Sequence, residues 1–354
     1  MASTGRHPCG GSFQPINPVD DTGWDAKVAA FPEAGFFHSA AWAAVLAGTY
    51  GFAPVYFTLN ESGRLQGALP MMAVNSWLTG KRGVSLPFTD ECEPLGDDAM
   101  SFRILFETAR RHAEDCGWKY LECRGGRAFL GDAPASTSFY GHQLNLADGQ
   151  ERLFTNLQSS VRQAIRKAAR NEITVERSQG LDAVQTFYRL HCLTRRRHGA
   201  PPQPFRFFGN IQRFVLAQDK GFLLLARHRT VPVAGAMFFH FGKQALYKFG
   251  ASDDAFQHLR ANDLVMWEAI KWLADKGFAQ LRLGRTSLKN TGLRRFKLGW
   301  GTEEYKIDYW RYDRRQAGFV IVPDESTGWH NCLFRALPAP LSRGAGSLLY
   351  QHVA

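Results

Sequence analysis

An internal repeat constrains the fold of this chain more than any other feature of its sequence. Two β-type runs, at residues 55–59 and 65–71, flank a polar turn, and residues 222–226 and 233–239 repeat this arrangement in the second half. Both pairs predict β-hairpins, and both carry a Gly-Ala step in the second strand. A chain of 354 residues is long enough for two domains of ordinary size.

A helix, a glycine and a strand follow each hairpin in the same order. Helical residues 102–115 precede Gly117 and the run at 118–123, and residues 262–275 precede Gly277 and the run at 278–283. Glycine just past a helix end adopts a left-handed conformation that costs other residues energy. We therefore predict two similar α/β domains, at 21–148 and 149–315, after a disordered lead at 1–20 and before a tail at 316–354.

Three helices are predicted at the front of the second domain. Apolar side chains at 161, 164, 165, 168 and 169 fall on one face of a helix over 160–170, which Ser159 or Ser160 would cap. A second helix is predicted over 181–197, with Gly199 just beyond its end, and a third over 207–218.

Positive charge is concentrated in the first two of these helices. The formal net charge of the chain is +11, and residues 151–200 contain ten Lys or Arg against four acids. Because arginine forks bind phosphate bidentately, two basic helix faces predict an anion site, although a solvated polar face gives the same pattern. The candidate acceptor-binding residues are Arg162, Arg166, Lys167, Arg195, Arg197 and His198.

The turn before the helix at 262–275 is a candidate phosphate site. Asn262 is placed to cap this helix, and the unpaired N–H groups and dipole of a helix N-terminus hold phosphate. We therefore assign Ser252, Arg260 and Asn262 to a cofactor phosphate. An ordinary capped core helix is the alternative, since no glycine-rich loop precedes Asn262.

A third candidate site follows the strand at 278–283. Arg285 comes directly after Gly284 at the end of that strand, where sites in α/β proteins tend to form. Lys297 lies between the aromatic residues Phe296 and Trp300, and a cation fixed there can stabilise an oxyanion. The alternative is a surface loop in which Lys297 extends its stem over apolar neighbours.

Several other chemistries are disfavoured. The six cysteines form no C-x-x-C pair and no His cluster completes a zinc set, so we predict free thiols in a reducing cytosol and no metal. No G-x-S-x-G motif or Cys-His pairing is visible, which favours direct attack by an acceptor amine over a covalent acyl-enzyme. We predict no signal peptide, and no apolar stretch reaches the roughly 20 residues of a spanning helix.

Several segments together resemble the Fem-type aminoacyltransferases and related GNAT-like acyltransferases. Residues 159–168 resemble their R-x-x-I-R-K-A helix, and residues 194–201 resemble their T-R-x-R-x-G-x-P segment. The sequences at 37–42, 85–88, 247–252 and 296–301 also match. The resemblance therefore extends from about residue 36 to residue 312.

The resemblance implies an α/β fold of two tandem GNAT-like domains, each a mixed sheet flanked by helices, with the site in the second. Lys297 matches the lysine of the family's F-K pair and Tyr247 its facing tyrosine, so Lys297, Tyr247, Phe296 and Arg285 are implied to be catalytic. Arg195 and Arg197 match cations near the acceptor phosphates. In this fold the pyrophosphate of coenzyme A sits at the turn before the 262–275 helix.

Two departures from the family pattern affect the function expected. Arg282 stands where relatives often carry an acid two residues before Gly-Arg, and the long charged helical arm of the bridge-building enzymes is not evident. The second departure favours a small acyl donor over aminoacyl-tRNA.

These observations predict an N-acyltransferase that moves an acyl group from acyl-CoA to an amine of an anionic cell-envelope or exopolysaccharide precursor. The alternatives are an aminoacyl-tRNA-dependent aminoacyltransferase of peptidoglycan bridges and a non-catalytic accessory protein of polysaccharide export. A plain nucleic-acid binder is disfavoured, because no basic sheet motif with interleaved aromatics appears. We predict a cytoplasmic protein with a small-molecule or lipid-linked acceptor, and leave open contact with tRNA and with the inner face of the membrane.

Overall fold

A computed structural model describes residues 12–96, 98–322 and 337–353 of the chain. The described residues divide into two compact units. The first unit contains residues 12–139, 306–322 and 350–353, and the second contains residues 140–305 and 337–349. The sequence had instead suggested boundaries at 148/149 and 315/316, so the segment after Lys306 returns to the first unit rather than completing the second.

Residues 12–145 form nine strands and four α-helices, with a 3-10 turn at Phe36–His38. The strands are β1 (Ser12–Ile16), β2 (Ala53–Pro54), β3 (Tyr56–Glu61), β4 (Arg64–Leu69), β5 (Met72–Ser76), β6 (Gly80–Val84), β7 (Leu95–Gly96), β8 (Tyr120–Arg124) and β9 (Thr137–Asn145). The helices are α1 (Trp24–Val28), α2 (Ala40–Tyr50), α3 (Ala99–Asp115) and α4 (Arg127–Leu130).

The rest of the described chain adds seven strands and seven α-helices, with 3-10 turns at Leu216–Gln218 and Asp254–Leu259. The helices are α5 (Gly149–Asn156), α6 (Ser159–Arg170), α7 (Leu181–Arg197), α8 (Phe205–Phe214), α9 (Ala261–Asp275), α10 (Thr291–Leu298) and α11 (Ala339–Leu349). The strands are β10 (Ile173–Ser178), β11 (Gly221–His228), β12 (Val231–Phe241), β13 (Gln244–Ser252), β14 (Gln280–Ser287), β15 (Glu303–Asp313) and β16 (Gly318–Val320).

The first unit contains two groups of paired strands. The order β1-β3-β4-β7 is antiparallel, and it includes the predicted hairpin as β3 and β4. The order β2-β5-β6-β8-β15-β16 is mixed, because β6 and β8 run parallel. Helix α3 packs its buried face, including Leu105 and Ala109, into a core with Trp118 and Trp310. Apolar burial of this kind supplies most of the favourable free energy of folding.

The second unit is built on the strand order β10-β11-β12-β13-β14. The first four strands are antiparallel, and β13 then pairs in parallel with β14 over only three residues, from Gln244 with Gln280 to Leu246 with Arg282. Helix α9 covers one face, and its Leu264, Ile270 and Leu273 lie in the core. The short parallel pairing matters for the site, because β13 and β14 both continue beyond it.

The predicted repeat is confirmed in both units. The hairpins are β3–β4 and β11–β12, and the helix-glycine-strand patterns are α3–β8 and α9–β14. Gly117 and Gly277 follow their helices with φ of 68° and 69°, as a left-handed helix end requires. Helix α7 has the predicted bounds, and Gly199 has a φ of 67° beyond it.

Several local predictions were wrong. Residues from Ser12 onward are not a disordered lead, because β1 pairs with β3 through backbone hydrogen bonds that local sequence does not reveal; residues 1–11 of that prediction lie outside the described chain. Neither Ser159 nor Ser160 caps α6, whose N-cap is Gln158, and the third predicted helix ends at Phe214. The tail contains β16 and α11.

Two further features concern the described residues alone. Cys92, Cys116, Cys123 and Cys192 are free thiols, whereas Cys9 and Cys332 lie outside the described chain. No helix in the described ranges is long and apolar enough to cross a lipid bilayer.

Candidate active site

Two cavities in the second unit meet at the exposed ring of Phe296 on α10. The sheet cavity, about 270 Å³, is lined by α7, β12, α9, α10 and the part of β13 that lies beyond its pairing with β14. The basic cavity, about 530 Å³, lies among α6, the N-terminus of α9 and α10. Phe296 lines both cavities, so they adjoin at this ring.

Tyr247 is a half-buried tyrosine that lines the sheet cavity. Its ring packs against Phe238 at a centroid distance of 5.5 Å, and its hydroxyl lies against Gly250, where a Cβ atom would overlap it. The pairing of β12 with β13 skips Lys248, a bulge that re-aims the side chains next to it. The bulge sets the direction of the Tyr247 side chain, and the absence of a Cβ atom at Gly250 leaves room for its hydroxyl.

The electrostatics of Tyr247 make it a hydrogen-bond donor. Burial raises the pKa of Tyr247 to about 12, because an apolar environment disfavours the phenolate. The hydroxyl therefore keeps its proton at neutral pH, and it can donate a hydrogen bond to an oxygen that gains negative charge.

Cations stand at both cavities. Arg197 and His198, at the end of α7, line the sheet cavity, and Arg197 also pairs with Asp254 at 3.0 Å. Lys167, Arg260 and Arg295 line the basic cavity. The two cavities are therefore suited to a ligand that carries phosphate or carboxylate groups.

Asp263 is the single carboxylate that lines the basic cavity within the described chain. Burial raises the pKa of Asp263, and the charge of Arg260 partly opposes this rise. The residue lies in the first turn of α9, so its charge acts at the helix end that would otherwise attract an anion. A carboxylate here is suited to an ammonium or amine group rather than to phosphate.

The turn between β13 and α9 differs from the predicted phosphate site. It is a 3-10 helix, Asp254–Leu259, without glycine. Asn262 does not cap α9, since the N-cap is Arg260 in a left-handed conformation, and Asn262 instead lines the sheet cavity. The backbone amide of Ser252 donates to the Thr194 hydroxyl at 2.9 Å, which ties α7 to the end of β13.

Lys297 is buried, with 3% of its surface exposed, and does not line either cavity. Its ammonium donates hydrogen bonds to the carbonyl oxygens of Gly284 at 2.9 Å and Arg285 at 3.0 Å. The side chain therefore holds α10 against β14 and fixes the helix that presents Phe296. Arg285 contributes its carbonyl to this contact, and its side chain is half-buried.

The basic helix faces do not converge on one site as predicted. Arg162 donates to the carbonyl oxygens of Thr155 and Leu157 at the end of α5, so it caps that helix. Arg166 lies over the ring of Phe154 at 5.6 Å. Arg195 donates to the Pro201 carbonyl at 3.2 Å. Of the six predicted acceptor-binding residues, Lys167, Arg197 and His198 line cavities.

Two of the charged residues that line the cavities were not predicted. Asp263 follows Asn262 directly, and an acid in the first turn of a helix is a common capping pattern that carries no sign of a cavity. Arg295 directly precedes the F-K pair in the sequence. The sequence shows the charge of this residue but not the direction in which its side chain extends. Across the described ranges, no group of three or more His, Cys, Asp or Glu is placed to hold a metal ion.

The comparisons with known proteins agree with this architecture. Residues 155–307 match the family model described as an acetyltransferase (GNAT) domain. No curated protein sequence matches the chain. Among solved structures, FemX is similar with a TM-score of 0.69 at 15% identity, over 86% of this chain and 98% of FemX.

Two other solved structures share the fold at lower similarity. A C-terminal domain described as part of a lysylphosphatidylglycerol synthetase from Agrobacterium fabrum has a TM-score of 0.54 at 15% identity, covering 83% of this chain and 93% of that one. A tandem GNAT protein from the clavulanic acid biosynthesis pathway has a TM-score of 0.52 at 11% identity, covering 86% and 98%. The chain therefore has the fold of FemX and of the tandem GNAT protein, and its residues 155–307 match the model of a GNAT acetyltransferase domain.

Proposed function

We propose that this chain transfers an aminoacyl group from aminoacyl-tRNA to an amine of an anionic cell-envelope precursor. The observation that carries the proposal is the protonated hydroxyl of Tyr247 at the sheet cavity, which shares the Phe296 ring with a second cavity lined by Lys167, Arg260 and Arg295. The sheet cavity supplies a hydrogen-bond donor for the reacting carbonyl, and the basic cavity supplies charge for an anionic substrate.

The reaction requires no covalent enzyme intermediate. The amine nitrogen attacks the carbonyl carbon of the donor ester, the C–N bond forms, and the C–O bond to the leaving hydroxyl breaks. The amine loses a proton and the leaving oxygen gains one, so the charges balance. In the proposed arrangement Tyr247 donates a hydrogen bond to the oxygen that becomes negative, and Asp263 holds the amine before attack.

The turn before α9 favours aminoacyl-tRNA over acyl-CoA as the donor. A pyrophosphate bound by backbone N–H groups needs a close approach to the helix N-terminus, which glycine allows and Asp263 opposes. The turn Asp254–Leu259 contains no glycine, and Asp263 occupies the first turn of α9. The order of the two donors predicted from the sequence is therefore reversed.

Acyl-CoA remains the second candidate donor. The match of residues 155–307 to a GNAT acetyltransferase domain and the likeness to a tandem GNAT protein both favour it. The link to exopolysaccharide and the cytoplasmic location stay predictions.

A transfer assay with two labelled donors distinguishes these candidates. The full chain is incubated with an amine-bearing, phosphorylated envelope precursor and either aminoacyl-tRNA or acetyl-CoA, each with and without ribonuclease. We expect label to reach the amine from aminoacyl-tRNA alone, and ribonuclease to abolish the transfer. Transfer from acetyl-CoA that survives ribonuclease would instead establish the second candidate.

Salt gives an independent check of the donor. A tRNA contacts many phosphate-binding cations, so the logarithm of its binding constant falls steeply with the logarithm of salt concentration, whereas coenzyme A has few phosphates. A shallow dependence would contradict the tRNA donor.

A further inference from the structure

A groove on a different face of α7 from the sheet cavity contains three arginines. The arginine groove, about 210 Å³, is lined by Arg189, Cys192, Leu193, Arg196, Pro202, Ser342 and Arg343. The first four belong to α7, and Ser342 and Arg343 belong to α11. None of these residues has a place in the proposed transfer reaction.

The charge of the groove has one sign. Arg189 and Arg196 are seven residues apart on α7, so they lie on the same helix face, and Arg343 approaches from α11 with its guanidinium 5.8 Å from the Tyr188 ring centre. No carboxylate lines the groove within the described chain. Three guanidiniums around one concavity attract an oxyanion, and their forks suit phosphate in particular.

Ser342 adds an independent sign of a ligand. It is 4% exposed, and its Oγ atom has no hydrogen-bond partner among the described residues. A buried hydroxyl without a partner costs about 1–3 kcal/mol, so such groups normally have one. A phosphate oxygen in the groove would accept the hydrogen bond that Ser342 lacks.

Apolar side chains surround this cationic groove. Leu193, Leu341 and Leu348 are 46%, 62% and 67% exposed, and the last two lie on one face of α11 because they are seven residues apart. Exposed leucines beside arginines are the pattern of a surface that inserts apolar groups among lipid chains while cations contact the headgroups.

Helix α11 is packed closely against the segment that follows α7. A Cβ atom at Gly346 would overlap the carbonyl oxygen of Pro202, so only glycine permits this approach. The close packing holds Ser342, Arg343 and the exposed leucines in a fixed position relative to α7.

We propose that the arginine groove binds the headgroup phosphate of an anionic phospholipid and seats α7 and α11 on a membrane surface. The proposal does not depend on the transfer reaction or its donor. Arg197 and His198, one turn or less from Arg196, would then bring the sheet cavity close to the lipid surface.

Vesicle co-sedimentation of the full chain tests this directly. Vesicles of phosphatidylcholine and phosphatidylglycerol in equal amounts should bind the chain, and pure phosphatidylcholine vesicles should bind it much more weakly. Each cation near an anionic surface contributes about 1 kcal/mol, so Arg196→Gln with Arg343→Gln should weaken binding about 30-fold. Leu341→Ser with Leu348→Ser should weaken it about 10-fold or more, because each leucine loses its burial in lipid.

Matched controls distinguish lipid binding through the arginine groove from nonspecific electrostatic and hydrophobic binding. Arg152→Gln with Arg213→Gln removes the same charge from exposed positions outside the groove, and Trp77→Ser removes an apolar side chain that is 86% exposed in the first unit. Both control variants should bind as the unaltered chain does. Ser342→Ala should weaken binding a few-fold without lowering the melting temperature.

Three results would overturn the proposal: equal binding to both vesicle types, loss of binding in either control, or full binding by the groove variants. Inorganic phosphate serves as the competing probe. If the groove variants lose affinity for inorganic phosphate while vesicle binding is unchanged, the groove is a site for a soluble anion and the lipid assignment is wrong.

Discussion

Replacing Gly250 by alanine should disable the site through Tyr247 while leaving the fold intact. The new Cβ would overlap the Tyr247 hydroxyl and lie 3.0 Å from the ring carbon Cζ. Ordinary carbon contacts are about 3.5–4.0 Å, so the hydroxyl must move by roughly 1 Å or more. The ring can swing into the sheet cavity, and we therefore expect a stability loss near the lower end of the range for overpacking, about 1 kcal/mol.

The effect on turnover should be much larger than the effect on stability. A 1 Å displacement of a catalytic group, or the loss of one oxyanion donor, lowers kcat by about 100-fold, which is about 2.7 kcal/mol of transition-state stabilisation. The assay is steady-state transfer to the amine acceptor, with kcat and KM measured separately. Gly209→Ala is the matched control, because no atom lies within 4 Å of the added Cβ in α8.

The double variant Gly250→Ala with Tyr247→Phe tests whether the change at Gly250 acts through the Tyr247 hydroxyl. Phenylalanine at 247 has no hydroxyl to displace, so Gly250→Ala combined with Tyr247→Phe should be no slower than Tyr247→Phe alone. The two single effects should therefore fail to add by about 2.7 kcal/mol. If Gly250→Ala turns over normally, or if the two losses add, the hydroxyl does not act in the reaction.

Two further changes test other parts of the structure. Lys297→Met removes two hydrogen bonds from a charged donor to the carbonyls of Gly284 and Arg285, so thermal unfolding should show that the free energy of unfolding falls by about 3 kcal/mol. Lys297→Arg should not restore this stability, because the planar fork of arginine differs from the compact ammonium. Unchanged stability with a lower kcat would instead support a direct catalytic role. Glu122 is buried, and although burial alone raises its pKa, Arg124 and Arg311 hold the net pKa below the usual 4.5. The depressed pKa of Glu122 stabilises the fold above pH 4.5, and this contribution to stability is lost as pH falls through the folded-state pKa. Glu122→Gln should therefore lower the free energy of unfolding, measured in urea, by about 3 kcal/mol at pH 7 and by progressively less toward lower pH. A stability difference that does not change with pH would contradict this.

The sequence predicted the repeated elements because each depends on local patterns. Alternating apolar runs and a glycine at a helix end determine hairpins and helix bounds within a few residues, as α7 and Gly277 illustrate. Strand β1 was missed because its pairing with β3 joins residues at least 40 positions apart and leaves no local periodicity. Its Pro and Ser content favoured a disordered interpretation.

The site was predicted less completely because it depends on the direction of side chains. Arg162 and Arg197 look alike in the sequence, yet one caps α5 and the other lines the sheet cavity. The residues of β13 that line that cavity lie beyond its three-residue pairing with β14, and no periodicity indicates where two parallel strands cease to pair. Tyr247 was identified only through the family resemblance, and its contact with Gly250 explains physically why the hydroxyl lies in the cavity.

The most direct test of the proposed site compares two tyrosines of the same unit. Tyr247 lines the sheet cavity, whereas Tyr188 donates to the Gln203 carbonyl and does not line it. Desolvation raises the pKa of both, so each variant to phenylalanine removes a protonated hydroxyl. We expect Tyr247→Phe to lower the kcat of transfer about 100-fold and Tyr188→Phe to leave kcat unchanged. Equal kcat values for the two variants would contradict the assignment of the sheet cavity as the reacting site.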